Sequence, residues 1–516
     1  MAPAPSNPDA QDPIETQTDV QAPAPPVDEF LIDGTEALVD PARAIRSGKL
    51  AGRSLRGAIW ILAVPILLQQ TMAALIGLVD TILAGRLPVE MAVGALDAIS
   101  IGSYVTWFIA IAMTGLGIGG QSLIARAMGS GDVAASHLAL VHAIFLSLLW
   151  GAVVGVGMWV GARPLAVVCQ LTPEAADLLV QYVRILAYAM PLAGLMLVGA
   201  MCLHGAGETT LPSLIAVGVN IVNIFVSWAL SGVDITFDGR TLVNPFAFDL
   251  HLTGIAVGTA SSFLFGAVMT LWVLLRGVKD LRLEKDALAL ETAMSWRILR
   301  VGLPAFFDSM MMWSANLLVL FVIGMIAAAE AVDGVPVQGL QGAHLIAIRW
   351  ESFSFLPGFA MGTAAGALAG QYLGARNAHM AQRAILACMG IGCVIMGSLG
   401  LVFMFGGEVL TRIISAEPIH VAQTPPLLFV CGTVQIFFAI TMILRQGLRG
   451  VGDTGWSFLI TTLSSLGIRL PAAWVLGITF EMGLLGVWLA LCGEIVCRAG
   501  FFLARFYHGG WKQVRV

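Results

Sequence analysis

Apolar stretches of about 20 residues or more, the length needed to cross a bilayer as helix, recur along the whole chain between short polar breaks. Twelve are counted, at 58–83, 92–117, 135–162, 176–202, 208–232, 252–277, 298–328, 338–367, 381–407, 422–447, 455–480 and 482–506. The short, strictly alternating segments of a β-barrel are not the pattern here. The reading is an all-α polytopic membrane protein with twelve transmembrane helices. Its polar breaks repeat. Residues 203–210 read LHGAGETT and residues 448–455 read LRGVGDTG, 245 positions apart, and ARAMGSGD (125–132) pairs with GQYLGARN (370–377) at the same offset. A Pro and a Gly 20 residues on also recur, as Pro65 and Gly85 and again as Pro304 and Gly324. Two halves built by duplication are how alternating-access transporters are made.

Composition agrees with a membrane setting: 58% of residues are hydrophobic and 11% charged, with mean hydropathy +0.87, against about 25% charged in a soluble domain. Most of the 27 Lys and Arg fall on the side of the two termini, while Arg86, Arg163, Arg240 and Arg412 lie in loops on the other and Arg184, Arg349 and Arg469 within spans. The positive-inside rule then makes both termini cytoplasmic. Residues 1–42 hold nine acids, no Lys or Arg, and many Pro and Ala, a composition that cannot bury enough surface to fold. That segment lacks the basic start and apolar core of a signal peptide. Residues 43–56 carry five bases and no acid, either a topology anchor or a helix on anionic lipid. The expected layout is a tail (1–42), a basic segment (43–56), a first lobe (57–277), a cytoplasmic linker (278–297), a second lobe (298–507) and a C-terminus (508–516). Of the seven Cys, six lie in spans and Cys169 at a span end, so they read as small apolar packers.

Several motifs invite a different chemistry. GSGD (129–132) and GVGD (450–453) match the GxGD of intramembrane aspartyl proteases, but that chemistry needs two aspartates facing each other inside the membrane, and both motifs fall in turns. Gly reaching positive φ and Asp capping the next helix explain them. GLGIGG (115–120) ends a span and follows no strand, so close helix approach explains it better than a dinucleotide loop. HExxH, CxxC and Walker A sequences are missing. An enzyme, a cofactor or a nucleic-acid partner is therefore not expected.

Ionisable groups inside spans cost about 2.5–3.5 kcal/mol each at a helix centre and are functional candidates. Asp80 stands in TMAALIGLVDTILAG with no base near it in sequence. A carboxylate buried without a fixed cation can trade a proton or bind Na⁺ as its cavity changes side. Gln69, three helical turns earlier, faces the same way, and Pro65 permits a hinge. Asn220, Asn223 and Ser227 share one stripe and either glue helices or extend the Asp80 site. In the second half, Arg469 and Glu494 near the middles of adjacent spans suggest a structural ion pair, and Glu351 either lines a cavity or pairs locally. Asp308, one turn into its span, is read as kept cheap by the interface. Met310, Met311, Met312 and Trp313 form a soft cluster that either packs a core or lines a cavity. Aligned on Pro65 and Pro304, Asp80 falls opposite Val319.

Taken in order, these residues resemble the multidrug and toxic compound extrusion (MATE) family, as found in bacteria, from about 57 to 512. The resemblance rests on VPILLQQTMAALIGLVDTILAGRL, GQSLIARAMGSGD, LHGAGETTLP, NIVN (220–223), TGIAVGTA (253–260), AHLIAIRWESFSFLPG (343–358), GALAGQYLGARN, LRGVGDTG and GLLGVWLA (483–490). It implies two six-helix lobes related by a pseudo-two-fold along the membrane normal, in the cytoplasmic (inner) membrane. It implies efflux of amphipathic, often cationic, organic compounds by H⁺ or Na⁺ antiport through alternating access. Asp80 matches the first-helix carboxylate that carries coupling, and Asn223 an amide near it. Second carboxylates found elsewhere in the family are replaced here by Ser227, Met312 and Phe438, which leaves Asp80 as the main coupling candidate and H⁺ ahead of Na⁺. The expected partners are a small organic substrate, the coupling ion and the lipid bilayer, around a monomer. A flippase for lipid-linked or other specific metabolites is the alternative, disfavoured by twelve spans and few bases within them.

Overall fold

The structure is a computed structural model that describes residues 50, 53–84, 86–168, 173–237, 240–246, 248–278, 280–283, 291–329, 339–415 and 417–514. The acidic tail at 1–42, and the basic segment at 43–56 apart from Leu50 and residues 53–56, lie outside the described residues. The first half builds α1 (Leu55–Ala84), α2 (Val89–Ser130), α3 (Val133–Val168), α4 (Pro173–Gly205), α5 (Thr210–Ser231) and α6 (His251–Arg276). A small antiparallel ribbon, β1 (Ile235–Phe237) with β2 (Arg240–Leu242), sits between α5 and α6, with Ile235 opposite Leu242. The second half builds α7 (Thr292–Ala329), α8 (Leu340–Gly374), α9 (Ala378–Ile414), α10 (Pro418–Thr433), α11 (Gln435–Gly450), α12 (Thr454–Ser464), α13 (Leu470–Trp474) and α14 (Gly483–His508).

Among the described residues, eleven helices are long and apolar enough to cross a membrane, and α10 with α11, bent by 58°, makes a twelfth. The bend sits at Val434, where Gln435 turns its buried amide onto Cys431 Sγ (3.1 Å) and Thr433 Oγ1 donates to Val430 O (2.7 Å). Local side-chain bonds of this kind compete with the regular ladder. The eleventh span is α12 and α13 joined and continued by π-helical turns, Ser465–Arg469 and Val475–Thr479. Pro471, which has no N–H to donate, lies between them. Helices α2, α8 and α9 each outrun the apolar windows by several residues, because their last turns are polar or glycine-rich.

The repeated sequences adopt one backbone twice. Gly131 (φ 79°) and Arg376 (φ 57°) both turn left-handed after α2 and α8, and Gly207 (φ 80°) and Gly452 (φ 89°) do so after α4 and α11. In each the next N–H reaches back five residues: Asp132 N to Ala127 O (2.9 Å), Asn377 N to Tyr372 O (2.8 Å), Glu208 N to Leu203 O (2.8 Å) and Asp453 N to Leu448 O (2.8 Å). These bonds satisfy carbonyls a helix end leaves open. Asp132 and Asn377 then cap the following helices, each accepting at 3.0 Å from the N–H three residues on.

The two halves meet at the end that carries these loops. Arg126 Nη2 donates to Val451 O (2.8 Å), and Gln371 Nε2, 245 positions on, donates to Gly205 O (2.8 Å). Glycines let the backbones touch: a Cβ on Gly129 would overlap Gln371 O, and one on Gly374 would overlap Arg126 O. The opening turns of α7 (Met294, Ile298, Val301, Ala305) pack in the core of the first half. Those of α1 (Ala58, Ile59, Leu62, Ala63, Ile66), with Leu50, pack in the core of the second. At the far end Val319, Val322, Ile323 and Ile326 of α7 pack with α8, α10 and α14 of their own half.

Candidate functional site

Asp80 lies near the end of α1 with only 4% of its surface exposed. Helices α5 and α6 close over it. Thr259 Oγ1 of α6 donates to Asp80 Oδ2 (2.8 Å), and Asn223 Nδ2 of α5 lies 3.3 Å from Asp80 Oδ1 and 3.2 Å from Thr259 Oγ1. Asn223 and Thr259 are themselves fully enclosed. Close packing of α5 on α6 makes this possible, since a side chain at Gly258 would strike the Ser227 backbone. Among the described residues no Lys or Arg pairs with Asp80. The Asn223 carbonyl oxygen is buried without a hydrogen-bond partner. The site therefore offers a carboxylate and an unused amide oxygen, enclosed between α1, α5 and α6. Both are oxygen donors of the type hard cations take, and the carboxylate alone can carry a proton.

The other first-half candidates lie apart from it. Asn220 Nδ2 donates to Met72 O (2.9 Å) and Ala216 O (3.0 Å), tying α5 to the middle of α1. Ser227 Oγ points to Ile255 O (3.4 Å) on α6. Gln69 Oε1 lies 3.0 Å from His204 Nε2, near the repeated loop. Pro65 is inside α1, and its carbonyl accepts from Ser213 Oγ. Sequence reasoning missed Thr259, whose signal was its place in TGIAVGTA.

The second half concentrates charge. Asp308 on α7 has no exposed surface and binds Arg445 Nε (3.0 Å), Arg449 Nη2 and Ser457 Oγ (2.9 Å). The expected interfacial solvation of Asp308 is thus corrected, because the side chain is enclosed and two arginines from α11 replace water. Glu494, also enclosed, accepts from Arg469 Nη2 (3.0 Å) and from Arg498 Nη2 (2.7 Å) and Nε (2.6 Å). A third member, Arg498, therefore joins Arg469 and Glu494. Placing few bases within the bundle is corrected as well, since Arg445, Arg449 and Arg498 all enter it. Glu351 on α8 is half-buried within electrostatic reach of Arg469 and forms no ion pair among the described residues. Met310, Met311 and Trp313 are half-buried on α7, and Met312 turns its sulfur to Arg498 Nη1 (3.1 Å). All six described cysteines are free thiols.

Comparison with known proteins follows the same division. Residues 65–229 and 304–475, one block in each half, match the MatE family. Relatives include "Probable multidrug resistance protein NorM" of Thermotoga maritima, 26% identical over 88% of this chain and 92% of that protein. "Multidrug and toxin extrusion protein 2" of Mus musculus is 23% identical over 93% of this chain and 82% of its own length. A solved structure described as "Outward-facing conformation of a multidrug resistance MATE family transporter of the MOP superfamily" matches with TM-score 0.79 at 20% identity, covering 92% of this chain and 98% of that one.

Proposed function

The chain belongs to the MATE family of multi-pass membrane transporters, and from that premise we propose that it exports amphipathic organic molecules by cation antiport, with Asp80 as the coupling carboxylate. The observation that supports this most is the Asp80 pocket: a buried acid held by Thr259 and Asn223, with no fixed cation among the described residues. An acid held this way, with no fixed cation, can take up a cation on one side of the membrane and give it up on the other. Substrate and ion then bind in turn, and the lobe holding Asp80 changes the side it faces. A proton is favoured over Na⁺ because no second carboxylate joins Asp80 among the described residues, although Na⁺ could use the free Asn223 oxygen.

In this reading the two lobes run 57–277 and 298–507, the loop end with both termini is cytoplasmic, and the contacts there close the cytoplasmic side. The membrane is the cytoplasmic one. A membrane potential adds about 2.3 kcal/mol per charge per 100 mV to such an exchange. The test is ethidium efflux from cells or inverted vesicles, with and without Na⁺, for the parent and Asp80→Asn. Gradient-dependent efflux by the parent that falls to background in Asp80→Asn supports the assignment. Undiminished coupled efflux at normal expression would sink it.

A further inference from the structure

We propose that the second half carries a subsite for the anionic group of an amphipathic substrate, built from the open edge of Arg445 with the aromatic surface of Phe438 beyond it on the same helix face. The proposal rests on the exporter reading and names the chemistry of what is exported: an organic acid or zwitterion with an aromatic body.

Charge within the second half does not balance. Arg445 and Arg449 share Asp308, and Arg469 and Arg498 share Glu494. Four guanidinium groups thus face two paired carboxylates, and an ionised Glu351 near Arg469 still leaves one positive charge over. Uncompensated charge in a bundle is costly and marks substrate paths. The corresponding contact of the first half carries no such charge. Aligned on the prolines, Gln69 stands where Asp308 stands, and His204 is 245 positions before Arg449. The neutral Gln69–His204 contact (3.0 Å) thus takes the place of the Asp308–Arg449 ion pair.

Of the four arginines, one is open. Arg449 is spent on Asp308, Ala305 O and Ser309 Oγ, while Arg469 holds Asn316 Oδ1 and Glu494. Arg498 is spent on Glu494, Ser464 and Ser465. Arg445 uses only Nε, on Asp308, and its two terminal nitrogens have no hydrogen-bond partner among the described residues. Its side chain is 17% exposed, against 4% for Arg449, 6% for Arg469 and 2% for Arg498. It sits one turn further from the sealed loop than Arg449.

Phe438 lies seven residues before Arg445 on α11, two turns along and on the same face. That places it about 10 Å away along the axis. Phe438 is half-buried against Phe355 (ring centroids 6.1 Å), which stacks on Phe359 (6.1 Å). A free guanidinium fork matches a carboxylate with two parallel bonds, and the ring surface accepts the apolar body.

The test uses two dyes that differ only in a methyl ester: rhodamine 110, a free carboxylate, and rhodamine 123, its ester. Equilibrium binding to the purified full-length protein is read by fluorescence anisotropy. The parent is expected to bind the acid roughly tenfold more tightly than the ester, the worth of about one charge-assisted bond. Arg445→Gln should erase that preference by weakening acid binding relative to ester binding, and Arg445→Lys should keep part of it. Equal binding of the two dyes by the parent, or tighter binding of the ester, overturns the proposal. That comparison needs no variant, so a misfolded Arg445→Gln does not decide it. The exporter reading is judged apart, by Asp80-dependent ethidium efflux.

Discussion

At the scale of single residues, the two halves handle charge by opposite means. Asp80 is held by a hydroxyl and an amide, while Asp308 and Glu494 are each held by two arginines. The first arrangement can lose its charge without stranding a partner, and the second cannot. Thr259→Val removes the shorter of the two contacts to Asp80 and should slow coupled dye efflux about tenfold or more. Ser227→Ala, one turn beyond Asn223 and bonded to Ile255 O, should leave the rate near the parent's. Glu494→Gln leaves Arg498 enclosed without a carboxylate and Arg469 with only Glu351 in reach, a change worth about 3–5 kcal/mol. A sharply lower midpoint in thermal unfolding of the purified protein is expected. Asp80 was legible in the sequence because one acid in a long apolar run is conspicuous. Thr259 was not, since a threonine in an apolar helix is ordinary and only the fold brings α6 to α1. Arg498, one turn after Glu494 within the same predicted span, was passed over although its i,i+4 spacing allows the pair.

Elements show what duplication kept. Each half ends its second helix with the same left-handed turn, yet the first half uses Gly131 and the second Arg376. A side chain in that conformation costs roughly 1 kcal/mol. The Arg376 N–H donates to Leu373 O (3.0 Å) as a glycine's would, while its exposed side chain makes no hydrogen bond or ion pair among the described residues that would offset the strain. Arg376→Gly should therefore raise the unfolding midpoint by a small, measurable step, and a fall would show that the arginine contributes something the fold does not reveal. The span pattern foretold the helices and their order. It did not foretell the bend at Val434 or the π-helical turns around Pro471, because both depend on side-chain bonds and packing that a hydropathy window averages away.

Over the whole molecule, contact between halves is concentrated at the loop end. Arg126 and Gln371, a matched pair from the duplication, each reach the other half's loop. Gly129 and Gly374 leave room for the backbones between them. Gly129→Ala puts a methyl group onto Gln371 O and should open this end, shifting the balance between the two sides. Spin labels at the exposed positions Ser130 and Arg376 would report it as a longer distance distribution than in the parent. An unchanged distribution would show that the seam yields without opening.

The sequence alone determined the membrane setting, the twelve spans, the duplication and the isolation of Asp80. Each of these is written in local composition or in self-similarity, and bilayer thickness and dielectric cost act on them directly. Only the tertiary structure decided which polar groups meet. It joined Asn223 and Thr259 to Asp80 and left Gln69, Asn220 and Ser227 elsewhere. It also gathered arginines from α11, α14 and the turn after α12 around two acids. The reason is physical: hydropathy fixes how a helix sits in the bilayer, whereas side-chain partners depend on the rotation and approach of helices far apart in the chain.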